Sequence, residues 1–321
     1  MPTDHLTTAP PHELAAGVLA VLAGADPVAT AADLGIDRAD LDDAVEAYQA
    51  AGLAALERRA ERECYQVRVE FAGWDTAETV GARRLGPRLD ELHASGSVAG
   101  WWFLRKHPCW RVRLHGADTA AVDQVLDELT AGGLVARWWP TVYEPETAAF
   151  GGPAAMDITH TLFCADSHGV LDYARQKTPG LGRRELSVLL VNALLGAAGL
   201  DFFERGDVFA RVAKIRPAPS AADHARLTDL VSGLRTLLSV PAMGSALFAP
   251  GGPVAFAAPW LAAFETAGRR LGEAAAAGRL DRGVRALLVH VVIFHWNRFG
   301  LSAATQGVLA RAASTAVLPR S

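Results

Sequence analysis

Lysine is almost missing from this chain of 321 residues: only Lys106, Lys177 and Lys214 carry an ammonium, so 28 of the 31 basic residues are arginine. Against 35 acidic residues this leaves a formal net charge of −4, with no global basic field to draw nucleic acid. Cysteine occurs only at Cys64, Cys109 and Cys164, too few and too scattered for a disulfide frame or a zinc site. No apolar run approaches the ~20 residues of a membrane span. Met1 to Glu13 lacks the basic n-region and apolar h-region of a signal peptide. These absences predict a cytoplasmic protein with reduced thiols, with no membrane or nucleic-acid partner. Gly-x-Ser-x-Gly, Gly-x-Gly-x-x-Gly, phosphate-loop and His-Glu-x-x-His motifs are all missing. A serine hydrolase elbow, a dinucleotide fold and a zinc protease are therefore not supported, and no metal or cofactor is expected.

What is present suggests an α+β protein of two or three modules. Residues 11 to about 58 read as three short helices: Glu13–Ala23 ended by Gly24, Val28–Leu34 stopped by Gly35, and Leu41–Ala51 ended by Gly52. That spacing suggests a helix-turn-helix or winged-helix unit. Its charge speaks against DNA, because residues 1–60 hold ten acidic and three basic residues, and a helix in a groove needs cations. A docking or peptide-binding module, residues 1–60, is the expectation.

From residue 63 the period changes. Tyr65–Phe71 alternates, Thr79–His93 is helical, Val98–Leu104 and Trp110–Leu114 are strands, Thr119–Leu129 is helical, and Leu134–Val142 is a last strand. The order β-α-β-β-α-β predicts a ferredoxin-like sheet, with Lys106-His107-Pro108 as the turn between its middle strands. Beyond residue 153 the chain is helical, punctuated by glycine and proline at Gly180, Gly199, Pro217, Pro241, Gly278 and Gly300. Residues 61–316 are expected to form one domain whose helical part closes over a sheet edge.

Two constellations carry chemistry. Arg111 and Arg113 alternate on one strand, so their guanidiniums share a face, with Arg105 on the preceding strand. A bound carboxylate or phosphate would relieve their repulsion, and arginine's planar fork suits either; a solvated sheet face is the alternative. His295 sits in an apolar helix with Arg298 three residues on. Positions i and i+3 share a face, and burial beside a fixed cation predicts a neutral imidazole suited to act as a base. The alternative is a core histidine next to a surface arginine. Asp166-Ser167 is a weaker signal. Between the constellations, Tyr143-Glu144-Pro145-Glu146 leads through Phe150-Gly151-Gly152-Pro153 into a long helix. Its glycines let the backbone approach either a ligand or a neighbouring element closely.

Four stretches in order carry a resemblance: Phe103-Leu104-Arg105 with Trp110-Arg111-Val112-Arg113; Tyr143-Glu144-Pro145-Glu146 with Phe150-Gly151-Gly152; Asp166-Ser167; and His295-x-Asn297-Arg298. Over about residues 63 to 315 the chain resembles the thiopeptide-type bacteriocin biosynthesis domain, which is also the C-terminal domain of class I lantibiotic dehydratases. The resemblance implies work on a ribosomally made precursor peptide. In some members this is elimination of glutamate from glutamylated serine or threonine. Stand-alone members instead form the thiopeptide pyridine by a formal [4+2] cycloaddition. It implies catalytic roles for His295, Arg111, Arg113 and Glu146, and substrate contacts for Arg105, Tyr143, Asn297 and Arg298. It also implies a separate glutamylating dehydratase as partner. Ala149 stands where elimination members usually carry an arginine, which removes one carboxylate-gripping cation. Cys109 stands where histidine is frequent. Glutamate elimination is the leading expectation; cycloaddition and a non-catalytic leader-peptide scaffold are the alternatives.

Overall fold

A computed structural model describes residues 11–62, 64–239 and 244–318 of the chain, which divides into two compact units between Arg62 and Glu63. The first unit holds α1 (Pro11–Leu22), α2 (Pro27–Leu34) and α3 (Arg38–Arg62) around Val18, Ala31, Ile36 and Leu41. Asp26 caps α2 by accepting from the Ala29 amide at 2.9 Å, and Gly35 closes it in the left-handed region, as such cap residues do. The third helix does not stop at Gly52; it runs on to Arg62. The segment after Gly52 is rich in alanine, leucine, glutamate and arginine, whose propensity carries the helix across one glycine. No strand belongs to this unit among its described residues, so the wing of a winged helix is not among them.

The second unit begins with β1 (Cys64–Phe71). A helical run follows: α4 (Ala77–Val80), a π turn over Gly81–Leu85, and α5 (Gly86–Ala94). Then come β2 (Gly100–Lys106), β3 (Cys109–His115), α6 (Thr119–Ala131) and β4 (Val135–Thr141). The strands form one antiparallel sheet in the order β2-β3-β1-β4. Strand and helix thus follow each other in the order the hydrophobic periods predict. One sheet face, with Val67, Val69, Trp101, Phe103, Trp110 and Val112, is core. The α6 carboxylates of Asp123 and Asp127 accept from Tyr65 Oη and Trp138 Nε1 there.

The remaining elements are α7 (Pro153–Arg175), α8 (Arg183–Ala197), α9 (Phe202–Lys214), α10 (Ala221–Ser239), α11 (Ala258–Ala276), α12 (Val284–Arg298) and α13 (Ala303–Val317). Two of them seal the β2 edge. Ser167 Oγ on α7 accepts from the Phe103 amide at 3.1 Å, and Arg298 Nε on α12 donates to the Phe103 carbonyl at 2.8 Å. Side chains thereby satisfy backbone groups that an edge strand leaves open. None of the described helices is long and apolar enough to cross a membrane.

Candidate functional site

The His295 helix builds a buried ionic core. His295 Nδ1 lies 2.8 Å from Asp166 Oδ1, and Arg298 Nη1 pairs with Asp166 Oδ2. Trp260 Nε1 donates to the same carboxylate at 2.9 Å. The relative exposures of His295, Asp166 and Arg298 are 1 %, 1 % and 0 %. Burial pushes the Asp166 carboxyl up, but His295 and Arg298 more than offset it and hold it below the ordinary carboxylate range. Arg298 is therefore not a surface residue. The histidine meets a carboxylate rather than the cation, because α7 places Asp166 between them. The His295 ring packs on Trp260, Phe264 and Phe299, which line the helical core. The Asp166-Ser167 pair, faint in the sequence, proves to be the hinge of this arrangement: one residue neutralises Arg298 and the next holds β2.

Arg105 and Asn297 belong to a different cleft. The register pairs Arg105 with Trp110, placing it on the face opposite Arg111 and Arg113. Its Nη2 pairs with Glu78 at 2.5 Å, and Arg183 grips the other oxygen of that carboxylate at 2.6 Å. Asn297 Oδ1 accepts from Gln306 Nε2 at 2.9 Å. The two line a hollow of about 320 Å³ with Trp74, Glu78 and Ser302.

Of the sequence-derived residues, Arg111, Arg113, Tyr143 and Glu146 gather at the arginine face. Arg113 pairs in register with Gln66, Arg111 with Arg68, and Arg137 with Glu70, so four guanidiniums share this side of the sheet, Arg137 being paired with Glu70. Arg68 was not singled out in the sequence, although it sits in the alternating Tyr65–Phe71 run. Arg113 is 2 % exposed. Its Nε donates to Gln66 Oε1 at 2.7 Å, its guanidinium lies 4.5 Å from the Tyr143 ring centroid, and its Nη1 is buried without a hydrogen-bond partner. Arg68 Nε is likewise buried and unpartnered. Burial, and to a lesser degree Arg111, pull Arg113 below the usual arginine range, while Tyr143 and Glu146 oppose this. Glu146, exposed on the connector, thus lies within electrostatic reach of Arg113 on one side and of His290 on the other.

The connector itself is pinned to the loop that leads into α12. Gly151 and Gly152 take φ of 86° and 97°, a region costly for other residues. The Gly151 carbonyl accepts from the Asp281 amide at 3.0 Å. A Cβ on Gly152 would meet Asp281 Oδ2 at 2.3 Å. These glycines fit the backbone against protein and not against an open ligand space. At Ala149, Arg282 Nη1 reaches the backbone carbonyl at 3.2 Å.

A second group of residues escaped the sequence reading. A cleft of about 450 Å³ runs beside α7, lined by His93, His115, His160, His168, Trp101 and Cys164. His160 Nε2 bonds Tyr143 Oη at 2.7 Å. Burial, then His115 and Arg113, press its pKa down to about 3, so the ring is neutral. His168 is its opposite. Its ring nitrogens face the Cys164 carbonyl at 2.7 Å and Asp90 Oδ1 at 2.9 Å. Both partners only accept, so both nitrogens carry protons. Burial works against that charge, but Asp90 and the carbonyl raise the pKa above its ordinary value. These histidines lie scattered over three elements, and only the fold gathers them. Among the described residues no group of three or more His, Cys, Asp or Glu side chains is placed to hold a metal, and the three cysteines are free thiols.

Comparison with known proteins bears on this geometry. Residues 65–317 match the family model described as lantibiotic biosynthesis dehydratase C-term. No curated protein sequence matches the chain. Among solved structures, the tRNA-dependent lantibiotic dehydratase MibB from Microbispora sp. 107891 is similar over 80% of this chain at 20% identity and TM-score 0.57. This chain spans only 28% of that protein's length. TsrL is similar over 81% of this chain and 99% of its own, at 17% identity and TM-score 0.55. The pyridine synthase TbtD from thiomuracin biosynthesis is similar over 79% and 97%, at 14% identity and TM-score 0.56. At these identities the likeness concerns the fold.

Proposed function

Because this chain belongs to the lantibiotic biosynthesis dehydratase C-terminal family, we propose that it matures a ribosomally made precursor peptide by eliminating glutamate from glutamylated serine or threonine. The observation that carries this reading is the Arg113 guanidinium. It is buried, its Nη1 is unpartnered, and Arg68 and Arg111 lie on the same face. Burying a cation without a counter-charge is costly, and a carboxylate arriving from a substrate supplies both the charge and the missing acceptor. Glutamate is a leaving group that brings a carboxylate of its own.

In the reaction a base removes the α-proton, the electron pair forms the Cα–Cβ double bond, and the Cβ–O bond breaks with glutamate departing as a carboxylate. Interactions that strengthen as that anion develops accelerate the step. Arg282 at the Ala149 carbonyl supports the same reading, since it brings a guanidinium to the place where the chain lacks one. Ala149 favours a second reading, the pyridine-forming cycloaddition, in which no glutamate is gripped. The test is incubation with a glutamylated peptide and, separately, with a dehydrated azole-bearing peptide. Loss of glutamate in the first tube supports elimination; ring closure in the second with an inert first tube transfers the chain to the second reading.

A further inference from the structure

Either reaction requires a group that takes up a proton. His295, which the sequence favours, is 1 % exposed; Asp166 takes up its Nδ1, and its Nε2 is buried without a partner. The histidine-lined cleft offers another. We propose that His160 is the proton acceptor of this site, presenting Nδ1 to the cleft, and that Tyr143 is the positioning residue that holds it in that tautomer. This rests on the maturation reading above and deepens it by naming the base.

His160 bonds Tyr143 through Nε2. Among the described residues its Nδ1 has no hydrogen-bond partner, and it is not among the buried unpartnered atoms. His160 lines the cleft, and Nε2 is the ring nitrogen turned to Tyr143, which leaves Nδ1 as the one to face the cleft. An Nε2–H donated to Tyr143 Oη leaves the Nδ1 lone pair bare, as the third member of a catalytic triad does for its histidine. Tyr143 is 4 % exposed, with its ring against the Arg113 guanidinium, so the phenol has a fixed place.

The groups facing His160 are His115 and Arg113 from β3, Trp102 from β2, Tyr143 from the connector, and Asp157 on its own helix at the cleft rim. Arg113 is a fixed cation in this set, and it opposes an imidazolium. A carboxylate bound at Arg113 cancels that opposition, so His160 gains basicity when substrate is in place. The step balances. The α-proton moves to Nδ1, its electron pair forms the alkene, glutamate leaves with the Cβ–O pair, and the imidazolium returns its proton to water in the cleft.

The test uses the full chain with both peptide substrates, and ¹⁵N-labelled histidine for NMR. His160→Gln keeps a polar partner for Tyr143 but accepts no proton. It should lower kcat by about 10²–10⁴-fold, with KM and melting temperature nearly unchanged. Tyr143→Phe should lower kcat less, and add nothing to His160→Gln. In the spectra of the wild type His160 should show the Nε2–H tautomer, a preference lost in Tyr143→Phe. Full kcat in His160→Gln, or an Nδ1–H tautomer in the wild type, overturns the assignment. A wild type that consumes neither peptide overturns the maturation reading instead, while the tautomer still decides the pairing.

Discussion

Removing the Asp166 carboxylate should damage stability far more than any other single change to the sequence motifs. In Asp166→Ala, Arg298, 0 % exposed, keeps its charge with only the Phe103 carbonyl as acceptor. Trp260 Nε1 and His295 Nδ1 lose their partner as well. Breaking a buried ion pair from one side costs about 3–5 kcal/mol. At about 2–4 °C per kcal/mol for a domain of this size, Tm should fall by about 6–20 °C. Asp166→Leu combined with Arg298→Met removes both charges and should recover part of the loss, because an apolar replacement of a buried pair is frequently neutral or stabilising. The pH dependence has a definite sign. Asp166 is held below its unfolded carboxylate pKa, so its contribution is complete above about pH 4–5. It is lost as pH falls through the lower folded value. The gap between wild type and Asp166→Ala should stay constant from pH 8 to 5 and close only in stronger acid. Scanning calorimetry and urea titration read both quantities. A loss below about 1 kcal/mol, or no recovery in the double variant, would refute the view of His295, Asp166 and Arg298 as an ionic core.

Other consequences are smaller or spectroscopic. Ser167→Ala takes away the acceptor for the Phe103 amide and should cost about 1–3 kcal/mol, the penalty for a buried donor left unmade, read by urea unfolding. In an NMR titration of free protein His168 should titrate above the usual histidine range, and His160 should stay neutral between pH 5 and 8; reversed behaviour would undo the hydrogen-bond assignment in the cleft. Residues 1–62, carrying an excess of acidic side chains, should show no measurable affinity for duplex DNA at physiological salt, checked by fluorescence anisotropy.

The sheet was legible because its strands carry period two and its helices the longer period. Tyr65–Phe71 and Trp110–Leu114 announce themselves in this way, and the register then follows from which residues are apolar. Gly52 misled as a helix stop, since local glycine chemistry is outweighed by ten following residues of high helix propensity. At the site, the pairing of Arg111 with Arg113 needed only alternation. The face of Arg105 needed the β2–β3 register, which a two-residue turn fixes and a sequence alone leaves open. At His295, burial and a nearby cation were visible in the sequence, while the Asp166 carboxylate, 129 residues away, was not. His160 carried no signal at all: a polar residue on a long helix becomes informative only when Tyr143 Oη lies against it.

The most direct measurement of the central claim is mass spectrometry of a glutamylated peptide after exposure to the wild type, Arg113→Ala and Arg113→Lys. The wild type should release glutamate and leave a dehydroamino acid. Arg113→Ala should lose about 1.5–3 kcal/mol of transition-state stabilisation, a charged hydrogen bond's worth. The lysine should not restore it, because an ammonium cannot reproduce the planar fork. Full activity in Arg113→Lys, or glutamate left intact on the peptide by the wild type, would contradict the claim.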